Sequence, residues 1–230
     1  MNLAIIPARS GSKRLKNKNI KKINNLHLIE YTIIAAVKSK KFDLIILSSD
    51  DKKIEKISKR YKIKFIKREK TYSSDKIKII DYINYFLNKN KNYSKKFKTI
   101  SLLLPTCPLR DHNDIINGFK LLNTKTSSVV SISAYDFPYT MSLTKNKINT
   151  VKPYFKNSPL INGNTRSQNH AQIYHPNGGF YISWMKDFLK NKNFFKGKNI
   201  KGYLLEKYKS YDIDDLIDLE IIKTLQKKFS

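Results

Sequence analysis

Three segments carry residues whose types and spacing suit chemistry. The first is Pro7-Ala8-Arg9-Ser10-Gly11-Ser12-Lys13-Arg14, with Lys18 and Asn19 close behind. Small residues let backbone amides curl toward an anion, while Arg9, Lys13 and Lys18 supply the positive charge that a triphosphate needs. The segment is not a Walker A loop. Its spacing leaves phosphate binding and a plain basic strand-to-helix connection equally open. The second is Asp212-x-Asp214, followed by Asp215 and Asp218. Alternate residues of an extended chain project to one side, so Asp212 and Asp214 suit a hard cation. The same cluster also suits the positive end of a following helix, within which Asp218 reads as a surface group. The third is Leu104-Pro105-Thr106-Cys107-Pro108-Leu109-Arg110. Its paired prolines fix a rigid turn that aims Arg110 or the Thr106 hydroxyl at a ligand. Cys107 has no base beside it in sequence and reads as a packing residue. The four histidines lack ligand spacing: His27 and His112 read as structural or surface groups, and His170 and His175 stay open.

The surrounding pattern predicts the elements that position these segments. Short apolar strands at 3–6, 44–47, 63–66, 99–104 and 129–133 alternate with helical periodicity at 27–39, 51–60, 76–88 and 111–122. Ser74-Asp75 is placed to cap the third helix and Asp111 the fourth, while the lysine- and asparagine-rich stretch 88–98 reads as a solvated connector. From about 135 to 177, prolines, asparagines and short strand-like pieces suggest an insertion. Strands at 179–183 and 202–205 and a helix at 214–228 follow. Strands alternating with crossover helices imply a mainly parallel, Rossmann-like sheet in a three-layer α/β/α arrangement. Such sheets bind ligands at the carboxyl ends of their strands, so the informative loops are those after Ile6, Leu47 and Leu104.

Composition narrows the class further. The chain has 230 residues, 40% hydrophobic and 28% charged, which suits a single domain over 1–230 with an insertion. Its apolar runs are far too short to span a bilayer, and no basic, signal-like segment precedes the first strand. One cysteine excludes an internal disulfide and a multi-cysteine zinc site, so a cytoplasmic location is expected. The net charge of +28 would attract nucleic acid or phosphorylated small molecules. Yet 46 basic residues include only six arginines, spread among scattered lysines, so a dedicated nucleic-acid reader is not expected.

Taken in order, the segments resemble a known family. Ile5 to Lys13 with Lys18-Asn19, then Ser48-Ser49-Asp50, Ser74-Asp75, Pro105-Thr106-x-Pro108-Leu109-Arg110, Pro176-Asn177-Gly178 and Asp212-Ile213-Asp214 are similar to the acylneuraminate cytidylyltransferases, the CMP-sialic acid synthetase family. The resemblance implies a nucleotidyltransferase fold, a homodimer, and transfer of CMP from CTP to the anomeric hydroxyl of a nine-carbon 2-keto sugar acid. It implies that Arg9, Ser12, Lys13, Lys18, Asn19, Ser74 and Arg110 lie at the nucleotide, with Arg9 and Lys13 offsetting charge on departing pyrophosphate. It places Mg²⁺ on Asp212 and Asp214, and the sugar against Leu104, Arg166, Gln168, Asn177 and Gly178. Phe194 and Phe195 resemble an aromatic pair that packs by a partner's sugar site, within a dimerisation segment at about 135–200.

Two positions depart from the pattern. Leu104 stands where sialic-acid-activating members carry glutamine, which leaves legionaminic or pseudaminic acid as well as sialic acid open as the substrate. Arg14 stands where glycine also occurs. The eight-carbon CMP-Kdo synthetases are the alternative, sharing the fold and a similar first loop.

Overall fold

The computed structural model describes residues 1–12 and 14–229. In chain order the strands are β1 (Asn2–Pro7), β2 (Lys22–Ile23), β3 (Leu26–His27), β4 (Leu44–Ser49), β5 (Lys64–Lys67), β6 (Thr99–Leu102), β7 (Ser128–Ala134), β8 (Leu143–Lys145), β9 (Val151–Pro153), β10 (Tyr174–Trp184) and β11 (Ile200–Leu204). The helices are α1 (Leu28–Ser39), α2 (Lys52–Arg60), α3 (Ile79–Lys89), α4 (Lys91–Lys96), α5 (His112–Leu121), α6 (Pro159–Asn162), α7 (Met185–Asn191) and α8 (Leu216–Phe229). The chain forms two compact units, Met1–Ile132 with Asn177–Ser230, and Ser133–Pro176.

Among the described residues the main sheet has seven strands in the order β11-β7-β10-β6-β1-β4-β5. The pairs β1–β4, β1–β6, β4–β5 and β7–β11 are parallel, while β10 runs antiparallel to β6. Period-two alternation along β1 explains why both faces are covered. Ala4 and Ile6 pack with Ile29 and Ile33 of α1, Ile54 of α2 and Ile115 of α5. Leu3 and Ile5 pack with Ile83 and Phe86 of α3 and Phe188 of α7. This is the expected three-layer, mainly parallel architecture. Helix α5 lies so close to the sheet that a Cβ on Gly118 would stand 2.5 Å from the Phe180 ring.

Three local expectations are corrected. Residues 88–98 are not a solvated connector, because α4 forms there, Tyr93 stacks on Phe86 at 5.7 Å and Phe97 is buried. The third helix starts at Ile79, not 76, with Lys78 at its N-cap; the Ser74 hydroxyl instead accepts the Lys76 amide in a local turn. Strand β6 ends at Leu102, although the Leu103 amide still reaches the Ile5 carbonyl. Asp111 caps α5 as expected, accepting the Asn113 and Asp114 amides at 2.7 and 3.1 Å.

Glu30 is a carboxylate inside this packing, 1% exposed. It accepts the His27 amide at 2.9 Å, the Tyr61 hydroxyl at 2.7 Å and the Arg60 guanidinium. Burial works against its charge, but these donors together hold it below the ordinary glutamate range. Glu30→Gln should therefore cost about 2 kcal/mol at neutral pH, the scale of hydrogen bonds to a charged group. The depressed folded-state value makes this support complete above the ordinary value of 4.5 and lost as the carboxylate protonates below it. Urea titrations should show the wild-type advantage at pH 7 and its loss as the pH falls below the ordinary glutamate range.

The smaller unit, Ser133–Pro176, carries the β8–β9 hairpin and a cluster in which the Phe155 ring meets Tyr139 at 5.2 Å and Tyr154 at 4.9 Å. Phe137, Ile148, Tyr154 and Ile161 are exposed on it.

Candidate active site

The loop after β1 is shaped before any ligand is considered. The Ala8 amide donates to the Ser48 carbonyl at 2.8 Å, extending the β1–β4 ladder past the strand. Ser10 then turns inward, and both its amide and its hydroxyl donate to the Asp50 carboxylate at 2.8 Å. Asn17 adopts a left-handed conformation, which asparagine tolerates, and opens a short 3-10 turn over Lys18–Ile20. That turn buries Asn19, whose side-chain amide donates to the Arg9 carbonyl at 3.0 Å.

These contacts frame a cleft of about 220 Å³ at the carboxyl ends of β1 and β6, with Arg9, Ser12, Lys18 and Asn19 on one wall and Leu104, Pro105 and Thr106 on another. Arg68, which the sequence did not single out, completes it. Its amide extends β5 by donating to the Ser49 carbonyl, its Nε donates to the Tyr72 carbonyl, and its guanidinium lies 4.0 Å from the Tyr82 ring centre. Burial pulls the Arg68 pKa down, with Tyr82 and Asp50 opposing that shift and Arg9 adding to it. The cleft thus gathers three cations, Arg9 and Lys18 from the loop after β1 and Arg68 from the end of β5. Lys13 lies outside the described residues.

The aspartate segment is tied to the same cleft. The Ile213 amide donates to the Thr106 carbonyl at 2.8 Å and the Ile213 side chain is fully buried, which pins the segment against the Pro-Thr turn. Burial raises the Asp212 carboxyl to about 6; a hydrogen bond from Thr106 offsets part of this and the charge of Asp214 adds to it. Lys18 Nζ donates to the Ile213 carbonyl at 2.7 Å and to Asp214 Oδ1 at 3.0 Å, and Arg14 holds Asp214 Oδ2 at 2.7 Å. The second half of the cluster does a different job. Asp215 accepts the Ile217 and Asp218 amides, and Asp218 accepts those of Asp214 and Asp215, forming the cap of α8. Asp218 is therefore an anchor for the backbone of the pair, not the idle surface group its position suggested.

The remaining candidates are scattered. Leu104 lies against Gly178, whose φ of +78° and missing Cβ make room for it; an added Cβ would stand 3.1 Å from Leu104 Cδ1. Asn177 turns inward, its Oδ1 accepting the Ser131 hydroxyl at 2.6 Å and the Gly179 amide at 3.1 Å. Arg110 does not line the cleft. It is 1% exposed and donates to the Gly179 carbonyl at 3.0 Å and the Thr32 hydroxyl at 2.9 Å, holding the turn from beneath. Ser74 is exposed on its turn and does not line the cleft. Phe194 is a core residue packed 4.7 Å from Phe188, whereas Phe195 is about half exposed. Arg166 and Gln168 belong to the smaller unit, where Gln168 and His170 line a pocket of about 370 Å³. His175 packs on Tyr135 in that unit. Cys107 is fully buried, donates to the Lys209 carbonyl at 3.2 Å and is pushed up to about 12 by burial, which fits a packing role.

The family model for cytidylyltransferases matches residues 3–229. The chain belongs to the cytidylyltransferase family. It is 33% identical over 228 residues to an N-acylneuraminate cytidylyltransferase of Escherichia coli, a match covering 98% of this chain and 52% of that protein. The chain thus spans about half the length of that relative. It is 34% identical to a post-translational flagellin modification protein B of Campylobacter coli (98% and 95% covered) and 30% identical to a pseudaminic acid cytidylyltransferase of Campylobacter jejuni (98% and 96% covered). A solved CMP:2-keto-3-deoxy-manno-octonic acid synthetase complexed with CTP shares the fold, with TM-score 0.69 and 17% identity over 99% and 98% of the chains. No described helix of this cytidylyltransferase is long and apolar enough to cross a membrane.

Proposed function

We propose that the chain transfers CMP from CTP to the anomeric hydroxyl of a nine-carbon 2-keto sugar acid of the sialic, legionaminic or pseudaminic type, releasing pyrophosphate. The observation that carries this reading is the meeting of a three-cation cleft with the Asp212–Asp214 segment through Thr106 and Lys18. Arg9, Lys18 and Arg68, with Lys13, hold the triphosphate; Ser12 and backbone amides of the loop complete its cradle. Their fixed charge opposes the negative charge that builds on departing pyrophosphate, so catalysis is positioning and electrostatics. Asp50 positions the loop by clamping Ser10, and Asn19 by clamping the Arg9 carbonyl.

The donor set fits Mg²⁺. Two carboxylates one residue apart are hard oxygen ligands, and Mg²⁺ is commonly held by one or two carboxylates together with substrate phosphates. Bound there by Asp212 and Asp214, it would supply Lewis-acid stabilisation of phosphate charge. Desolvation and the neighbouring Asp214 carboxylate already disfavour the Asp212 anion, a condition that a cation relieves.

The names of the relatives support a nonulosonic acid, while the Kdo alternative rests on a fold likeness at 17% identity. Leu104 and Gly178 offer the sugar an apolar, non-donating wall. The segment at about 135–200 serves dimerisation: the apolar side chains exposed on the smaller unit, and Phe195, suit contact with a second copy. Pyrophosphate release with CTP and Mg²⁺ against N-acetylneuraminic, legionaminic, pseudaminic and Kdo acids tests the reading. Release with a nine-carbon acid is expected, and release with Kdo alone would overturn the substrate class.

A further inference from the structure

Asp214 is neutralised twice. Lys18, whose side chain is 13% exposed, is held by the Ile213 carbonyl as well as by Asp214, so it is part of the frame. Arg14 differs. Its guanidinium is 70% exposed, and Asp214 Oδ2 at 2.7 Å is its recorded partner. Arg14 lies in sequence between the cleft-lining Ser12 and Lys18, and its partner Asp214 is also bonded by Lys18, so the pair ties the basic loop to the acidic segment next to a cleft residue. An exposed ion pair is weak and easily exchanged, and a divalent cation on Asp214 must displace it.

We propose that Arg14 is an exchangeable latch: it occupies Asp214 in the absence of nucleotide, blocks premature metal binding there, and passes to the triphosphate when cation and CTP arrive together. This rests on the reading of Asp212 and Asp214 as the metal pair. The cation replaces Arg14 at Asp214, and a phosphate oxygen replaces Asp214 at Arg14, so neither charge is left bare. Metal binding and nucleotide binding are thereby coupled through one side chain that touches both partners in turn, and the free enzyme disfavours the cation until its co-ligand is present.

The test uses Mn²⁺ alone as the probe, its free concentration read by electron paramagnetic resonance on the full chain without nucleotide. Arg14→Ala should bind Mn²⁺ about two- to fivefold more tightly than wild type, the range set by an exposed ion pair. Arg14→Lys should stay near wild type. Lys59→Ala, which removes the same charge from the exposed Glu55 pair on α2, should also leave Mn²⁺ affinity unchanged. With CTP and metal present, Arg14→Ala should raise KM for CTP by a similar factor, opposite in sign to its effect on the metal alone. Unchanged or weaker Mn²⁺ binding in Arg14→Ala, beside weakened binding in Asp214→Asn, overturns the latch and leaves the metal pair standing. Mn²⁺ binding that ignores Asp214→Asn and Asp212→Asn overturns the metal reading, and the latch with it. A gain equal in Lys59→Ala and Arg14→Ala reduces the effect to net charge and overturns the latch.

Discussion

Asp212→Asn is expected to lower kcat for pyrophosphate release by about 10²–10³-fold, the scale for removing one preorganised electrostatic contact from a transition state. Asparagine has the same shape, and the Thr106 hydroxyl can still donate to its side-chain oxygen. Desolvation already disfavours the ionised carboxylate, so a neutral amide should leave the melting temperature near that of wild type. The loss should appear in kcat with KM for CTP within a few-fold, because Arg9, Lys18 and Arg68 still hold the triphosphate. Steady-state kinetics at saturating Mg²⁺, beside a melting curve, check both halves. A folded variant that keeps more than a third of wild-type kcat would remove Asp212 from the catalytic set.

Lys209→Ala is expected to destabilise the chain by about 3–5 kcal/mol, as when one partner of a buried ion pair is removed. Its ammonium stands 2.9 Å from Asp111 and 3.3 Å from Asp114. Asp111 reaches solvent, but Asp114 has only 5% of its side chain exposed and would be stranded. Burial already pushes the Asp114 carboxyl above its ordinary value even with Lys209 beside it. The double variant Lys209→Met, Asp114→Asn should recover much of the loss, since both charges are then gone and asparagine can still accept the Asp111 amide that Asp114 accepts at 2.9 Å. Urea midpoints at pH 7 give the comparison. A single variant within 1 kcal/mol of wild type would show that water reaches the site.

The fold was legible because its strands announce themselves. Residues 3–6 and 44–47 are apolar without interruption, which marks strands covered on both faces. Residues 88–98 were misread because lysine and asparagine outnumber the two anchors, half-buried Tyr93 and buried Phe97, whose i, i+4 spacing was the available signal. The aspartate segment offered two overlapping readings; in the structure Asp215 and Asp218 form the helix cap, while Asp212 takes a hydrogen bond from Thr106 and Asp214 pairs with Lys18. Arg68 was missed because nothing local marks it. It reaches the cleft through the β4–β5 pairing, a contact between strands that no single-segment motif encodes. Arg110 shows the converse. A rigid turn at a strand end was read as aiming a side chain outward, yet its carbonyl and hydroxyl partners draw the guanidinium under the turn.

The position of β10 governs how this chain must be made. Translation delivers β1, β4, β5 and β6 before β10, and none of the pairings among them needs β10. One side of Thr99–Leu102, buried along its whole length in the finished sheet, then waits for Tyr174–Trp184. During that interval it is an unpaired, apolar template for any neighbouring nascent chain. Prematurely terminated products ending before residue 184 keep that edge open permanently.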